Sequence, residues 1–114
     1  MKVFISQPMH GLSEELILNR MNDLFALVKE KYPDAELIDN YTKPQEIVNK
    51  GRLAMLGDSI ALMVDADIVL FADGWMGANG CVIENIVALR YRIRILYEEQ
   101  LRPKPVEAEY YWGC

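Results

Sequence analysis

The chain has 114 residues, a net charge of −5 at neutral pH, 52% hydrophobic residues and 25% charged ones. That is the size of one domain and the balance of a folded one, which excludes a disordered segment and two separate cores. The acidic balance also excludes a nucleic-acid polymer as partner, because backbone binding needs clustered Lys and Arg to release counterions; a small anion could still bind locally.

No apolar run reaches the roughly 20 residues of a membrane span, and the first residues, Met1 to Ser6, already read as a strand. The expectation is a cytoplasmic protein with no membrane partner. Two cysteines, Cys81 and Cys114, and one histidine, His10, are too few for a four-ligand zinc site of the usual kind or a disulfide framework. Both thiols are therefore expected to be reduced, Cys81 as a small packing residue and Cys114 in a loose tail. No metal and no cofactor is expected.

Residues 2–6 form a β-rich run broken by Pro8 and Gly11 in the loop Gln7-Pro8-Met9-His10-Gly11. From 12 to 32, Leu18, Met21, Phe25, Val28 and Tyr32 recur at three and four residues, with Glu14 and Glu15 in the first turn, so the spacing predicts an amphipathic helix ended by Pro33-Asp34. A short strand follows at 36–39. Thr42-Lys43-Pro44-Gln45 has the capping-box pattern that starts a helix. That helical stretch runs to about Val64. Gly51 and Gly57 each cost about 1 kcal/mol inside a helix, which leaves two helices or one kinked helix open.

Residues 67–72 are a continuous apolar run of the kind buried on both faces of a parallel sheet, so this strand is expected at the centre. A loop over 73–80, a helix over 81–92 and a strand over 93–97 complete a βαβαβαβ order. This order predicts an α/β fold, a Rossmann-like or flavodoxin-like three-layer sandwich with a short, mainly parallel sheet of four to five strands. Residues 1–97 read as its single domain. Residues 98–114 read as a C-terminal tail whose Tyr110, Tyr111 and Trp112 would pack on a neighbouring subunit or at the mouth of the site.

In open α/β sheets ligands bind beyond the carboxyl ends of the strands, where the strand order reverses. The loops at 6–11, 40–42 and 73–80 meet there, and Glu84 faces the same crevice. Gly74, Gly77 and Gly80 do not fit a dinucleotide fingerprint; they make a tight turn or let a ligand approach the backbone. Glu84, among Val82, Ile83, Ile86 and Val87, is either a solvated helix residue or a functional carboxylate that the nearby helix start keeps ionised. Asp67 reads as a strand-entry cap. Asp58 is either surface charge or the second member of a carboxylate pair of the sort that performs glycosidic cleavage.

Three stretches carry a resemblance. They are residues 2–6 followed by a polar, Gly-containing loop, then Asp58 ahead of Ala66-Asp67-Ile68-Val69-Leu70, then Gly80-Cys81-Val82-Ile83-Glu84-Asn85-Ile86-Val87-Ala88-Leu89. Together they resemble the nucleoside 2-deoxyribosyltransferase superfamily, in particular a small phage and bacterial branch of it, over most of residues 2–97. The resemblance implies that Glu84, four residues after Gly80, attacks the anomeric carbon to form a covalent glycosyl-enzyme, after which a base or water takes the sugar with retention.

It also implies that Asp58 assists the departing base, facing one cleft with Glu84, and that Ser6, Gln7, Met9 and Gly11 contact the sugar or a 5′-phosphate. Asp73, Gly74 and Trp75 stand where the family has a small polar loop that binds the sugar; Trp75 either stacks on the base or covers the core. Ser6-Gln7-Pro8-Met9 replaces the family's Gly-Ser pattern. Family sites completed by a neighbouring subunit, together with an exposed sheet edge, predict a homo-oligomer.

The function expected is therefore an N-glycosidic enzyme acting on a small-molecule nucleoside or nucleotide, a deoxyribosyltransferase or an N-hydrolase. A nicotinamide-dinucleotide glycohydrolase is the related alternative. A non-catalytic nucleotide-binding or interaction module of the same fold is the alternative from another class.

Overall fold

A computed structural model describes residues 1–41 and 44–102. The capping-box reading at Thr42, the aromatic cluster at 110–112 and Cys114 lie outside the described residues. Strands β1 (Lys2–Ser6), β2 (Glu36–Leu37), β3 (Ile68–Phe71) and β4 (Arg94–Tyr97) form one parallel sheet in the order β2-β1-β3-β4. The fold is the expected α/β sandwich, and this strand order is that of flavodoxin-like sheets, whose switch point lies between β1 and β3.

The four residues of β3 are fully buried, as its unbroken apolar run requires of a strand covered on both faces. Alternation along the strands sorts the core into two halves. Val3, Ile5, Ile68, Leu70 and Leu96 point to one face, where α1 (Glu14–Lys31) supplies Met21, Leu24 and Val28. Phe4, Val69, Phe71 and Tyr97 point to the other, where α4 (Asn79–Arg90) supplies Ala88 and Val87.

Helix α1 starts where Ser13 caps it, the hydroxyl accepting from the Leu16 amide at 3.1 Å, and Glu14, Glu15, Lys29 and Lys31 complement its dipole. Its buried stripe is Ile17, Met21, Leu24 and Val28, one position off the expected Leu18 and Phe25. The second helical stretch divides into α2 (Pro44–Lys50) and α3 (Arg52–Leu62). Gly51 makes the break with φ 92°, a left-handed conformation that favours glycine, while Gly57 stays inside α3.

A short helix, α5 (Glu98–Leu101), follows β4 directly. It lies in the stretch read from sequence as tail, yet it belongs to the fold: Glu98 is buried and Leu101 packs against the α1 side of the core. Among the described residues no helix is long and apolar enough to cross a membrane.

Candidate functional site

The site grows from the last residue of β1. Ser6 ends the strand at the β1–β3 switch point, in register with Phe71 and, one strand further, with Tyr97. Because in-register neighbours share a face, all three side chains point toward α4. Opposite Ser6, on the second turn of α4, is Glu84, only 6% exposed.

Its two carboxylate oxygens are held separately. The Ser6 hydroxyl donates to Oε1 at 2.7 Å and the Ser59 hydroxyl, from α3, donates to Oε2 at 2.6 Å. Three elements thus converge on one carboxylate. Burial pushes the Glu84 carboxyl above its ordinary range, and the Ser59 and Ser6 hydroxyls pull it back toward the ionised form. The contacts that favour its charged form are these serine hydroxyls, and desolvation outweighs them.

Asp58 does not join Glu84 through these contacts. It is exposed on α3 and ion-paired with Lys50. The half-buried side of α3 carries Met55, Leu56, Ser59 and Ile60, and the buried Met63 follows just after the helix, a helical spacing on which Ser59 falls and Asp58 does not. Ser59 was missed in the sequence, although that spacing, read beside Asp58, singles it out.

Gln7 points the other way from Ser6, as strand alternation requires. Its amide donates to the Ile17 carbonyl in α1 at 3.3 Å, and its Oε1 is buried with no hydrogen-bond partner among the described residues. Met9 closes the loop turn through its carbonyl, which accepts from the Leu12 amide, and Gly11 turns it at φ 79°. Gly80 sits in the first turn of α4, where a Cβ would meet Leu56 at 3.7 Å, an ordinary contact. Cys81 is a free, buried thiol beside Glu84, and burial pushes its ionisation up, so it acts as packing rather than as a nucleophile.

The loop after β3 is fixed by its backbone. The Asp73 amide donates to Glu98 Oε1 at 2.9 Å, and Arg20 from α1 donates to the Asp73 carbonyl at 2.6 Å. Gly74 follows at φ 86° and turns the chain into Trp75. Trp75 stacks on Tyr97 with ring centroids 5.7 Å apart, and both contact Phe71. Asn85, next to Glu84, donates to the Tyr97 hydroxyl at 3.2 Å, which ties the aromatic group to α4. Glu98, also missed in the sequence, is held below the ordinary carboxylate range: burial works against this, but the Asp73 amide, Arg102 and Arg20 prevail.

Set against protein-family models, curated proteins and solved structures, the chain matches none. Its chemistry therefore rests on the site itself. The structure brings Ser6 and Glu84 together, adds Ser59, and sets Asp73, Gly74 and Trp75 at the neighbouring strand end. Gln7 and Asp58 lie outside that constellation. Among the described residues no group of three or more His, Cys, Asp or Glu side chains is placed to hold a metal ion.

Proposed function

We propose that the chain acts on the N-glycosidic bond of a nucleoside or nucleotide, with Glu84 as the nucleophile that forms a covalent glycosyl-enzyme. The observation that carries this reading is a buried carboxylate at the β1–β3 switch point, the usual ligand crevice of such sheets, aimed by two hydroxyls from different elements. Glu84 attacks the anomeric carbon, the bond to the base breaks, and the base or water that enters next regenerates the carboxylate with retention of configuration. Ser6 and Ser59 position the carboxylate and favour its charged form.

Release of free base from a panel of ribo- and deoxyribonucleosides and their monophosphates, with and without an acceptor base, tests the reading. Base release by the wild type that falls by at least about a hundredfold in Glu84→Gln is expected. Release that survives the substitution contradicts it.

The burial of Glu84 favours a second reading, a non-catalytic nucleotide-binding module in which the same hydrogen bonds pin α4 to the sheet. Nucleotide binding by calorimetry with no product by chromatography is the result that selects it. The proposed setting is the cytoplasm, where a free thiol such as Cys81 stays reduced.

The proposed assembly is a homo-oligomer formed through α4. The helix buries Cys81, Glu84, Asn85 and Ala88 yet leaves Ile83, Ile86 and Leu89 exposed, so it is apolar on its outer side as well, as a helix covered from both sides is. Val64 and Tyr91, also exposed, extend this apolar surface, which a second copy would cover.

A further inference from the structure

At the ends of β3 and β4 lies a cleft of about 130 Å³, lined by Phe71, Trp75 and Tyr97 and by Asp73 and Glu99. Sites for drug-sized ligands begin near 300 Å³, so this one has room for a single flat heterocycle and not for a whole nucleotide. Both carboxylates are exposed, and among the described residues neither has an ion pair or a hydrogen bond.

The nearby cations are engaged elsewhere. Arg102 donates to Glu98 Oε2 at 2.6 Å, and Arg20 holds the Asp73 carbonyl and lies 3.8 Å from Glu98. Arg102 also feels the charge of Asp73, but neither guanidinium lines the cleft. Aromatic side chains with two unpaired negative charges attract a flat cation and repel a phosphate.

The cleft lies within reach of the nucleophile. Ser6, Phe71 and Tyr97 are in register on β1, β3 and β4, and adjacent strands are about 4.8 Å apart, which sets the cleft roughly 5 to 10 Å from the Ser6–Glu84 pair along the sheet edge. The near end of that range suits an attacking oxygen and, across the anomeric carbon, the ring of the departing base. A second observation concerns the proton. A neutral base needs one as it leaves; the groups hydrogen-bonded to Glu84 are serine hydroxyls, and Asp58 is paired with Lys50 on the exposed side of α3. The carboxylates at the cleft itself, Asp73 and Glu99, are exposed and act on the base by charge rather than as buried acids.

We propose that this cleft is a planar-cation site that receives the base of the substrate, and that the base is a pyridinium or an N-alkylated purinium. The assignment of the cation as a leaving base rests on the glycosidic reading above. A base of this class needs no general acid. As a Glu84 oxygen bonds to the anomeric carbon, the C–N bond breaks, its electron pair returns to the ring nitrogen, and the base departs neutral. Water then attacks the anomeric carbon, the Glu84 carboxylate leaves, and the proton of the water passes to solvent.

The test uses the full chain carrying Trp112→Phe, so that Trp75 is its single tryptophan. Trp75 fluorescence is titrated with 1-methylnicotinamide, a pyridinium that has no glycosidic bond, and with neutral nicotinamide. The cation is expected to bind about tenfold more tightly, and the pair Asp73→Asn and Glu99→Gln to remove most of that preference. In parallel, nicotinamide riboside and 7-methylguanosine are expected to release base about tenfold faster than adenosine and guanosine.

Equal affinity for cation and neutral ligand, or a preference untouched by the double variant, overturns the cation site. The two readings fail separately. Cation preference with no base release from any nucleoside retains the cleft and overturns the glycosidic chemistry, whereas release from neutral nucleosides without cation preference retains the chemistry and overturns the cleft.

Discussion

Glu84 and Glu98 are both buried carboxylates, but their surroundings push them in opposite directions. Glu84 receives two hydroxyls that only partly offset its desolvation, so the folded state holds its proton more tightly than the unfolded chain does. Its contribution to stability therefore falls as pH rises from the ordinary carboxyl range, near 4.5, through its raised value. Glu84→Gln removes this slope, and the melting temperature of the variant minus that of the wild type is expected to increase between about pH 4 and pH 7. A constant difference contradicts it.

Glu98 has the reverse sign. Its stabilisation is complete above the ordinary carboxyl range and is lost as pH falls through its lowered value. Glu98→Gln is expected to cost about 1–2 kcal/mol at neutral pH, discounted because Arg102 is half exposed. In denaturant melts that deficit should shrink toward acid pH. Which residues form the site was only partly legible. Glu84 stood out as a charge in an apolar helix; its partner on α3 is Ser59, decided by a single step of helical phase. Glu98 gave no signal, because its partners Asp73, Arg20 and Arg102 come together only through the fold.

Among the elements, β3 and α1 read most clearly, for different reasons. A four-residue apolar run that must be covered on both faces can only be central, and Leu70 is fully buried within it. Leu70→Ala is expected to cost about 2–5 kcal/mol by denaturant unfolding. Helix α1 was legible by its period, but its phase was read one residue late, because Leu18 and Phe25 fit the same period as Ile17 and Leu24. Only the sheet it packs on distinguishes them. Ser13→Ala, which removes the α1 cap, is expected to cost about 1 kcal/mol; a change near zero would mean that water replaces the hydroxyl. Strand β2 is shorter than its apolar pattern suggested. At the sheet edge the pattern continues through Ile38, whose amide still bonds to the Val3 carbonyl, while Asn40 already turns to cap the Ile5 carbonyl at 2.9 Å.

For the whole molecule, strand–helix alternation predicted a parallel sheet, but alternation alone leaves the strand order open. The observed β2-β1-β3-β4 order sets the crevice between β1 and β3 and so brings Ser6, Glu84 and the β3 loop to one edge. The same architecture leaves the outer side of α4 uncovered. Solution scattering is expected to give a mass above that of one 13.1 kDa chain, and Ile86→Glu to reduce it to one chain. A monomeric wild type rules out that interface.

Covalent capture at Glu84 is the most direct test of the proposed chemistry. Nucleosides bearing fluorine at C2′, with neutral and with cationic bases, slow the second displacement by destabilising its oxocarbenium-like transition state. After acid quench and digestion, the peptide containing Glu84 is expected to carry the mass of one fluorinated pentosyl group, and the same peptide from Glu84→Gln to carry none. Base release with no adduct at Glu84, or an adduct on another carboxylate, would contradict the assignment of Glu84 as the nucleophile.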